Sequence, residues 1–266
     1  MKAFVEPDEG DGLFNIDANQ IEYRVMAHYM KDVKLLEGYK GRDFDLHKFV
    51  MDWLGIPRRP AKVINFGTAF NMGKAKLARE YSAMVGGTVT LDQAGKILDR
   101  YFTEIVPFLL PTRRDVEQVA KRRGYVKNFF GRHSHLEHRN AYKGFNRVVQ
   151  GGAAEIVKNR MVAVDVALRA AKLERDVKWR LMVHDEIVFS IPNNLELLHT
   201  ALPVIVKTLE GFDRMRVPFW WEGAWGVGTW FDVAQVKDDK KLPGQMVGGP
   251  NGAPVKSKVS LARAVA

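Results

Sequence analysis

Cysteine is absent from all 266 residues. That gap excludes disulfide scaffolds, thiol nucleophiles and cysteine-ligated zinc together. It suits a reducing compartment, and the expected location is the cytoplasm, of a bacterium or of a virus's host cell. Long apolar runs are missing too. None approaches the roughly 20 residues that a bilayer-spanning helix needs, so no membrane partner is expected. The N-terminus, Met1-Lys2-Ala3-Phe4 followed by Glu6, Asp8 and Glu9, is not a secretory signal. No internal repeat is visible. Gly151-Gly152 is followed by no lysine-serine pair and is therefore no P-loop.

Acids are also in short supply, 31 Asp and Glu against 41 Lys and Arg, a formal charge of +10. With 46% hydrophobic residues the chain can bury a sizeable core, which excludes wholesale disorder. A basic protein of this kind has polyanions as its natural partners. The surplus is localised: residues 112–147 hold ten Lys and Arg against three acids, and the tail from Lys237 holds six against two. The remainder is nearly neutral. One basic patch and one basic arm suit sequence-independent contact with nucleic acid.

Hydrophobic spacing predicts a strand over Leu13–Ile16 that ends at Asp17, then a helix striped by Ile21, Val25 and Tyr29. Pro60 suits the first turn of a second helix, and Ile64, Phe66, Phe70 and Leu77 extend its spacing over Lys62–Leu77. Thr90 is a plausible N-cap for a helix through Ile97 and Leu98, and Val149 to Leu168 reads as a long amphipathic helix. Leu181–Val183 and Ile187–Phe189 form a hairpin with His184-Asp185-Glu186 at its tip. Strands mixed with helices make the chain α/β or α+β.

Two features carry chemistry. Asp17 and Asp185 each stand where a β element delivers a side chain to an edge. Brought together they would need a cation between them, and hard carboxylate oxygens favour magnesium, the rest of its shell coming from water and substrate phosphates. Two ions ~3.5–4 Å apart would activate one oxygen and stabilise the leaving one. An arbitrary pair of strand-end aspartates is more often a pair of solvated caps. The second feature is Arg58, Lys62, Phe66 and Phe70, spaced by four and thus on one helix face. Two cations there can grip a triphosphate while the aromatics meet a sugar and base. The bland alternative is a salt-bridged helix burying both phenylalanines in a core.

Three segments in order resemble the family A DNA polymerases, the bacterial DNA polymerase I type. Asp17-Ala18-Asn19-Gln20-Ile21-Glu22-Tyr23-Arg24 resembles motif A, Arg58-x3-Lys62-x3-Phe66-x3-Phe70 motif B, and Val183-His184-Asp185-Glu186 motif C. Arg122-Arg123-Gly124-Tyr125-Val126 with Phe130-Gly131-Arg132, Asn146-x3-Gln150-Gly151, and Gly226-Val227-Gly228 with Trp230 extend the likeness over about residues 3–232. The resemblance implies a polymerase palm with an antiparallel sheet and a helical fingers subdomain. It implies a first palm part over 1–47, fingers over 48–131, a second palm part over 132–236 and a flexible basic tail over 237–266.

By that resemblance Asp17 and Asp185 ligate two Mg2+ ions, assisted by the carbonyl of Ala18, with Glu186 supporting. Arg58 and Lys62 would bind the incoming triphosphate, and Lys62 would protonate the leaving pyrophosphate. Phe66 and Phe70 would pack on the nucleotide, with Gln20 beside it and Glu22 as the gate against a 2′-hydroxyl. Asn146, Gln150, His184 and Arg132 would touch the primer–template. The implied activity is template-directed DNA synthesis from dNTPs. A non-catalytic nucleic-acid-binding remnant and a single-subunit RNA polymerase are the alternatives.

The likeness has departures. Phe70 stands where tyrosine is usual and cannot pair with Glu22, and Asn71 stands where glycine is usual. Ala18-Asn19 replaces tyrosine-serine. No thumb, first palm portion or exonuclease domain precedes motif A, which implies either a natural split, with a second polypeptide that supplies the thumb and the N-terminal part of the palm, or one lobe of a longer protein. His133, His135 and His138 fit phosphate contact better than zinc, and Trp220, Trp221, Trp225 and Trp230 read as core.

Overall fold

The computed structural model of the chain describes residues 2–238, 245–246 and 257–258. A 3-10 turn (Lys2–Phe4) precedes β1 (Asp11–Ala18), α1 (Ile21–Met30), α2 (Val33–Gly38), α3 (Leu46–Leu54) and α4 (Arg58–Ala69). Then come α5 (Lys74–Val85), α6 (Leu91–Arg100), a π-helical turn (Tyr101–Ile105) and α7 (Leu109–Arg123). A short ribbon of β2 (Tyr125–Lys127) and β3 (His133–His135) leads through a 3-10 segment (His138–Lys143) into α8 (Gly144–Ala170). The chain continues as β4 (Lys178–Val183), β5 (Glu186–Pro192), α9 (Leu195–Glu210), β6 (Trp221–Gly226) and α10 (Trp230–Asp238). Two short strands, β7 (Gln245–Met246) and β8 (Ser257–Lys258), pair within the tail; the expectation of flexibility there otherwise lies outside the described residues. Among the described residues no helix is long and apolar enough to cross a membrane.

The chain divides into two compact units, one of residues up to Ile21 with those from Ala153 onward, the other Glu22–Gly152. The first is built on an antiparallel sheet of order β4-β5-β1-β6. β1 and β5 are central and covered on both faces, which is why Leu13–Ile16 and Ile187–Phe189 show little polar alternation. β4 is an edge, and Lys178 and Arg180 mark it as one. Leu13, Val188 and Ala224 form one core patch with Trp230 and Val233 of α10. The other face carries Phe14, Phe189 and Trp225, all buried. Gly12 and Gly223 permit that packing: a Cβ on Gly12 would stand 2.5 Å from the Trp225 ring, and one on Gly223 would stand 2.7 Å from Phe14. Trp221, Trp225 and Trp230 are core, as their setting in apolar runs implied, while Trp220 is half-buried.

The second unit is helical apart from the β2–β3 ribbon. Thr90 caps α6 through a reciprocal capping box with Gln93. Ala120, Val126, Ala141 and Val148 form a core patch that joins α7, the ribbon, the 3-10 segment and the first turns of α8.

Two expectations need correction. The single helix expected over Lys62–Leu77 is two, since α4 ends at Ala69 and α5 starts at Lys74. Between them Asn71 takes a left-handed backbone, φ 76°, which no apolar spacing reveals. Asparagine is the residue other than glycine that best tolerates this conformation, and the usual glycine at this point of the motif has the same physical reason. The hairpin tip is also shorter than expected: Glu186 already belongs to β5, which leaves His184-Asp185 as the turn.

Asn71→Ala should therefore cost about 1 kcal/mol, because alanine keeps the Cβ but loses the short polar side chain that lets asparagine tolerate the left-handed region. Asn71→Gly should recover most of it, less the bond from Asn71 Nδ2 to the Tyr142 carbonyl. Urea denaturation of the three proteins checks both.

Candidate active site

The sheet unit brings the motif A and motif C acids together by backbone pairing. In the β1–β5 ladder Asp17 lies directly opposite Glu186. The Ala18 amide donates to the Asp185 carbonyl at 3.2 Å, which seats the hairpin tip beside the end of β1. His184 makes that two-residue turn with a left-handed φ of 57° and leaves its imidazole exposed. Asp17 and Asp185 are both half-buried, and the Oδ1 atom of Asp17 is itself out of reach of solvent. Gln20 lies in the turn that links β1 to α1 and also has a left-handed backbone, φ 51°.

Asp17 has acids on both sides. Glu222 of β6 is its other cross-strand partner, so Glu186, Asp17 and Glu222 stand abreast on three neighbouring strands. Directly opposed like charges are unfavourable and need neutralising. Glu222 accepts a hydrogen bond from Asn19 Nδ2. Glu186 accepts from Lys2 Nζ at 3.0 and 3.1 Å and from Trp230 Nε1 at 3.1 Å. Motif-based reading missed Lys2, and it placed Trp230 in the core beside Gly226-Val227-Gly228 without linking it to Glu186.

Donor chemistry in this place fits a hard divalent cation. Among the described residues no set of three or more acidic or histidine side chains converges to hold a metal alone. Asp17 and Asp185 would thus be two protein ligands of an ion whose shell is completed by water and phosphate, as magnesium prefers.

In the helical unit, α4 separates its faces cleanly. Ala61, Ile64, Asn65, Thr68 and Ala69 are buried, while Arg58, Lys62 and Phe66 are exposed and Phe70 is half-exposed. Phe66 retains 40% of its surface, which decides against the reading that buries it in a core. Its ring lies 5.2 Å from that of Phe70 and meets Tyr23 edge-on at 5.7 Å. Tyr23 follows Glu22 directly, so the gate candidate and the Phe66 platform are linked through one residue of α1.

Arg58 is oriented by Asp45, whose carboxylate lies 2.6 Å from Nη2 and also caps α3 through the His47 and Lys48 amides. Burial favours the neutral acid, but the hydrogen bond and charge of Arg58 outweigh it and hold the Asp45 pKa below its ordinary value. Behind the exposed face lies a buried polar chain. Tyr101 Oη donates to Asn65 Oδ1, and Asn65 Nδ2 donates to His47 Nδ1 at 3.1 Å. His47 is neutral at pH 7: burial, with Arg58 and Lys62 nearby, pushes its pKa down to about 4 against the opposing pull of Asp45. Tyr101, in the π-helical turn, is raised by burial. Asp45, His47, Asn65 and Tyr101 were not found by motif spacing; the only hint was polar character within apolar stretches.

The basic patch also lies in this unit. Lys121, Arg122 and Arg123 close α7, and Asn128 Oδ1 accepts the Phe130 and Arg132 amides at 3.0 Å, shaping the turn that presents exposed Arg132. Asn146 and Gln150 are one helical turn apart at the start of α8; Gln150 is exposed and Asn146 is half-buried. His133, His135 and His138 are exposed.

A model of DNA polymerase family A matches residues 1–232. The chain belongs to that family. It is 33% identical over 252 residues to DNA polymerase I of Pseudomonas aeruginosa, covering 88% of this chain and 26% of that protein. Against thermostable DNA polymerase I of Thermus aquaticus it is 30% identical over 237 residues, covering 82% of this chain and 27% of the relative. The chain thus spans about a quarter of the length of these family A relatives. Among solved structures it resembles the POL domain of Pol1 from M. smegmatis in complex with DNA primer-template and dNTP. That likeness has a TM-score of 0.75 at 25% identity and covers 88% of this chain and 42% of the other.

Protonating His47 in the folded state must break its acceptor role toward Asn65. Its folded pKa, about 4, lies below the ordinary 6.5. Between these values the unfolded chain binds more protons, so stability is full above pH 6.5 and falls as pH drops toward 4. The loss attributable to this group is about 3 kcal/mol. His47→Gln should flatten the dependence of Tm on pH across that window, as measured by thermal melts from pH 7 to pH 4.

Proposed function

We propose that this family A chain performs template-directed DNA synthesis, in which a primer 3′-hydroxyl attacks the α-phosphate of a dNTP in line and expels pyrophosphate. The observation that carries this reading is the β1–β5 register, which sets Asp17 beside the Asp185 hairpin tip. A non-catalytic remnant would need only the basic surface. On this reading residues 1–47 and 132–236 form the palm and residues 48–131 the fingers.

Asp17 and Asp185 would hold two Mg2+ ions, with the Ala18 carbonyl as a further ligand. When bound, these ions would lower the pKa of the attacking hydroxyl and stabilise charge on the leaving oxygens. Arg58 and Lys62, both on the exposed face of α4, grip the triphosphate, and Lys62 delivers a proton to the departing pyrophosphate. Asp45 holds the Arg58 fork in one orientation before substrate arrives, which lowers the entropic cost of binding. Phe66, braced by Tyr23 and Phe70, packs on the deoxyribose, Gln20 lies beside the nucleotide and Glu22 excludes a ribose hydroxyl. Asn146, Gln150, His184 and Arg132 contact the primer–template, and the cations of residues 112–147 add salt-sensitive grip.

The matched polymerase domain is more than twice as long as the part this chain covers. A thumb and an N-terminal palm, on further chain or on a second polypeptide, would complete the duplex-binding surface, so residues 1–266 alone should extend primers poorly and recover when those parts are supplied.

Primer extension with Mg2+ tests the reading. Asp17→Ala or Asp185→Ala should lower kcat about a thousandfold or more. Lys62→Ala should lower kcat about a hundredfold, the usual worth of a general acid, and Arg58→Ala should chiefly raise the dNTP KM. DNA binding should survive all four changes. Metal-independent incorporation, or binding without any incorporation once the thumb and the N-terminal palm are supplied, would sink the proposal.

A further inference from the structure

The three acids abreast on β5, β1 and β6 are not treated alike. Asp17 and Asp185 are the proposed metal ligands, whereas Glu186 is held on every side by protein. Lys2 Nζ reaches both of its oxygens, at 3.0 and 3.1 Å, and Trp230 Nε1 adds a bond to Oε1 at 3.1 Å. The same ammonium lies 4.4 Å from the centre of the Trp230 ring, so the ring face and the carboxylate share one cation. The Glu186 side chain keeps only 17% of its surface.

Backbone contacts fix this arrangement. The Trp230 amide, at the start of α10, donates to the Val5 carbonyl at 2.8 Å, three residues beyond Lys2. The 3-10 turn Lys2–Phe4, the first residue of α10 and the first residue of β5 therefore meet at one point. Glu186 is the immediate neighbour of Asp185 and the cross-strand partner of Asp17.

We infer that Lys2 is a positioning residue that withdraws Glu186 from the carboxylate row, leaving divalent-ion binding to Asp17 and Asp185. This rests on the metal ligands of the proposed function and deepens it. Without the ammonium, an uncompensated Glu186 faces Asp17 across the ladder. The row then recruits a cation of its own, with Glu186 as an added ligand, and the ligand set of the site changes. Affinity rises with ligand charge, while the geometry around Asp185 is lost.

The test is Mn2+ binding to the full chain, followed by electron paramagnetic resonance of the free aquo ion, for the unmodified protein, Lys2→Ala, Lys2→Arg and Lys2→Ala/Glu186→Gln. Lys2→Ala should bind Mn2+ about three- to tenfold more tightly, in line with the gain from one added carboxylate. Lys2→Arg should stay near the unmodified value. The double variant should return to it, since a neutral carboxamide needs no cation and still accepts from Trp230. Should Lys2→Ala not fold, Lys2→Met keeps the aliphatic stem over Trp230 and replaces it in the comparison. Equal Mn2+ affinity with and without the ammonium, including no binding by either, would overturn the inference. So would a double variant as altered as the single one, because the effect would not then run through Glu186. Failure of nucleotide incorporation alongside a Lys2-dependent Mn2+ affinity would strike the polymerase reading instead and leave this inference standing.

Discussion

The antiparallel register of β5, β1 and β6 is the constraint on which the sheet unit's chemistry depends. It places Glu186, Asp17 and Glu222 opposite one another and seats Asp185 one residue away. Carboxylates so arranged repel, and the fold survives because each acquires a different counterpart. Glu222 takes an asparagine amide and Glu186 takes an ammonium and an indole. The chemistry proposed for Asp17 and Asp185 is what remains when Glu186 has been paired with a cation and Glu222 hydrogen-bonded by an amide.

The helical unit solves a different problem. An exposed row of cation, cation and aromatic on α4 must be held steady, and Asp45 at Arg58 and Tyr23 at Phe66 do part of this. Further support comes from behind, where Tyr101, Asn65 and His47 form a buried hydrogen-bonded chain. Such a chain in a low-dielectric interior rigidifies what it joins, and it does so only while every member keeps its protonation state. The neutral His47 and the ionised Asp45 are therefore structural requirements: burial keeps His47 neutral, while Arg58 keeps Asp45 ionised against the effect of burial.

Much of this was legible in the sequence. The spacing of Arg58, Lys62, Phe66 and Phe70 put them on one face, and that face is the exposed one. The apolar runs before Asp17 and after Asp185 are central strands, the run before Asp185 is an edge strand, and Thr90 caps its helix as expected. Periodicity failed at Asn71, because one left-handed residue interrupts a helix without disturbing the apolar count. It also could not link Lys2 or Trp230 to Glu186, which they meet from 184 and 44 residues away. Nor could it find Asp45 or Tyr101, whose partners lie 13 and 36 residues distant.

By itself the sequence determined the motifs, their order, the amphipathic face of α4 and the confinement of the net positive surplus to residues 112–147 and the tail. These are properties of local spacing, and local spacing is written in the chain. Only the tertiary structure decided which acids stand side by side, which of them are neutralised and by what, and that Phe66 stays exposed while Asn65 beneath it is buried. Those outcomes depend on strand register and on contacts between distant segments. A ladder displaced by one residue would turn Asp17 to the opposite face with hardly any change in the apolar pattern of so uniformly buried a strand.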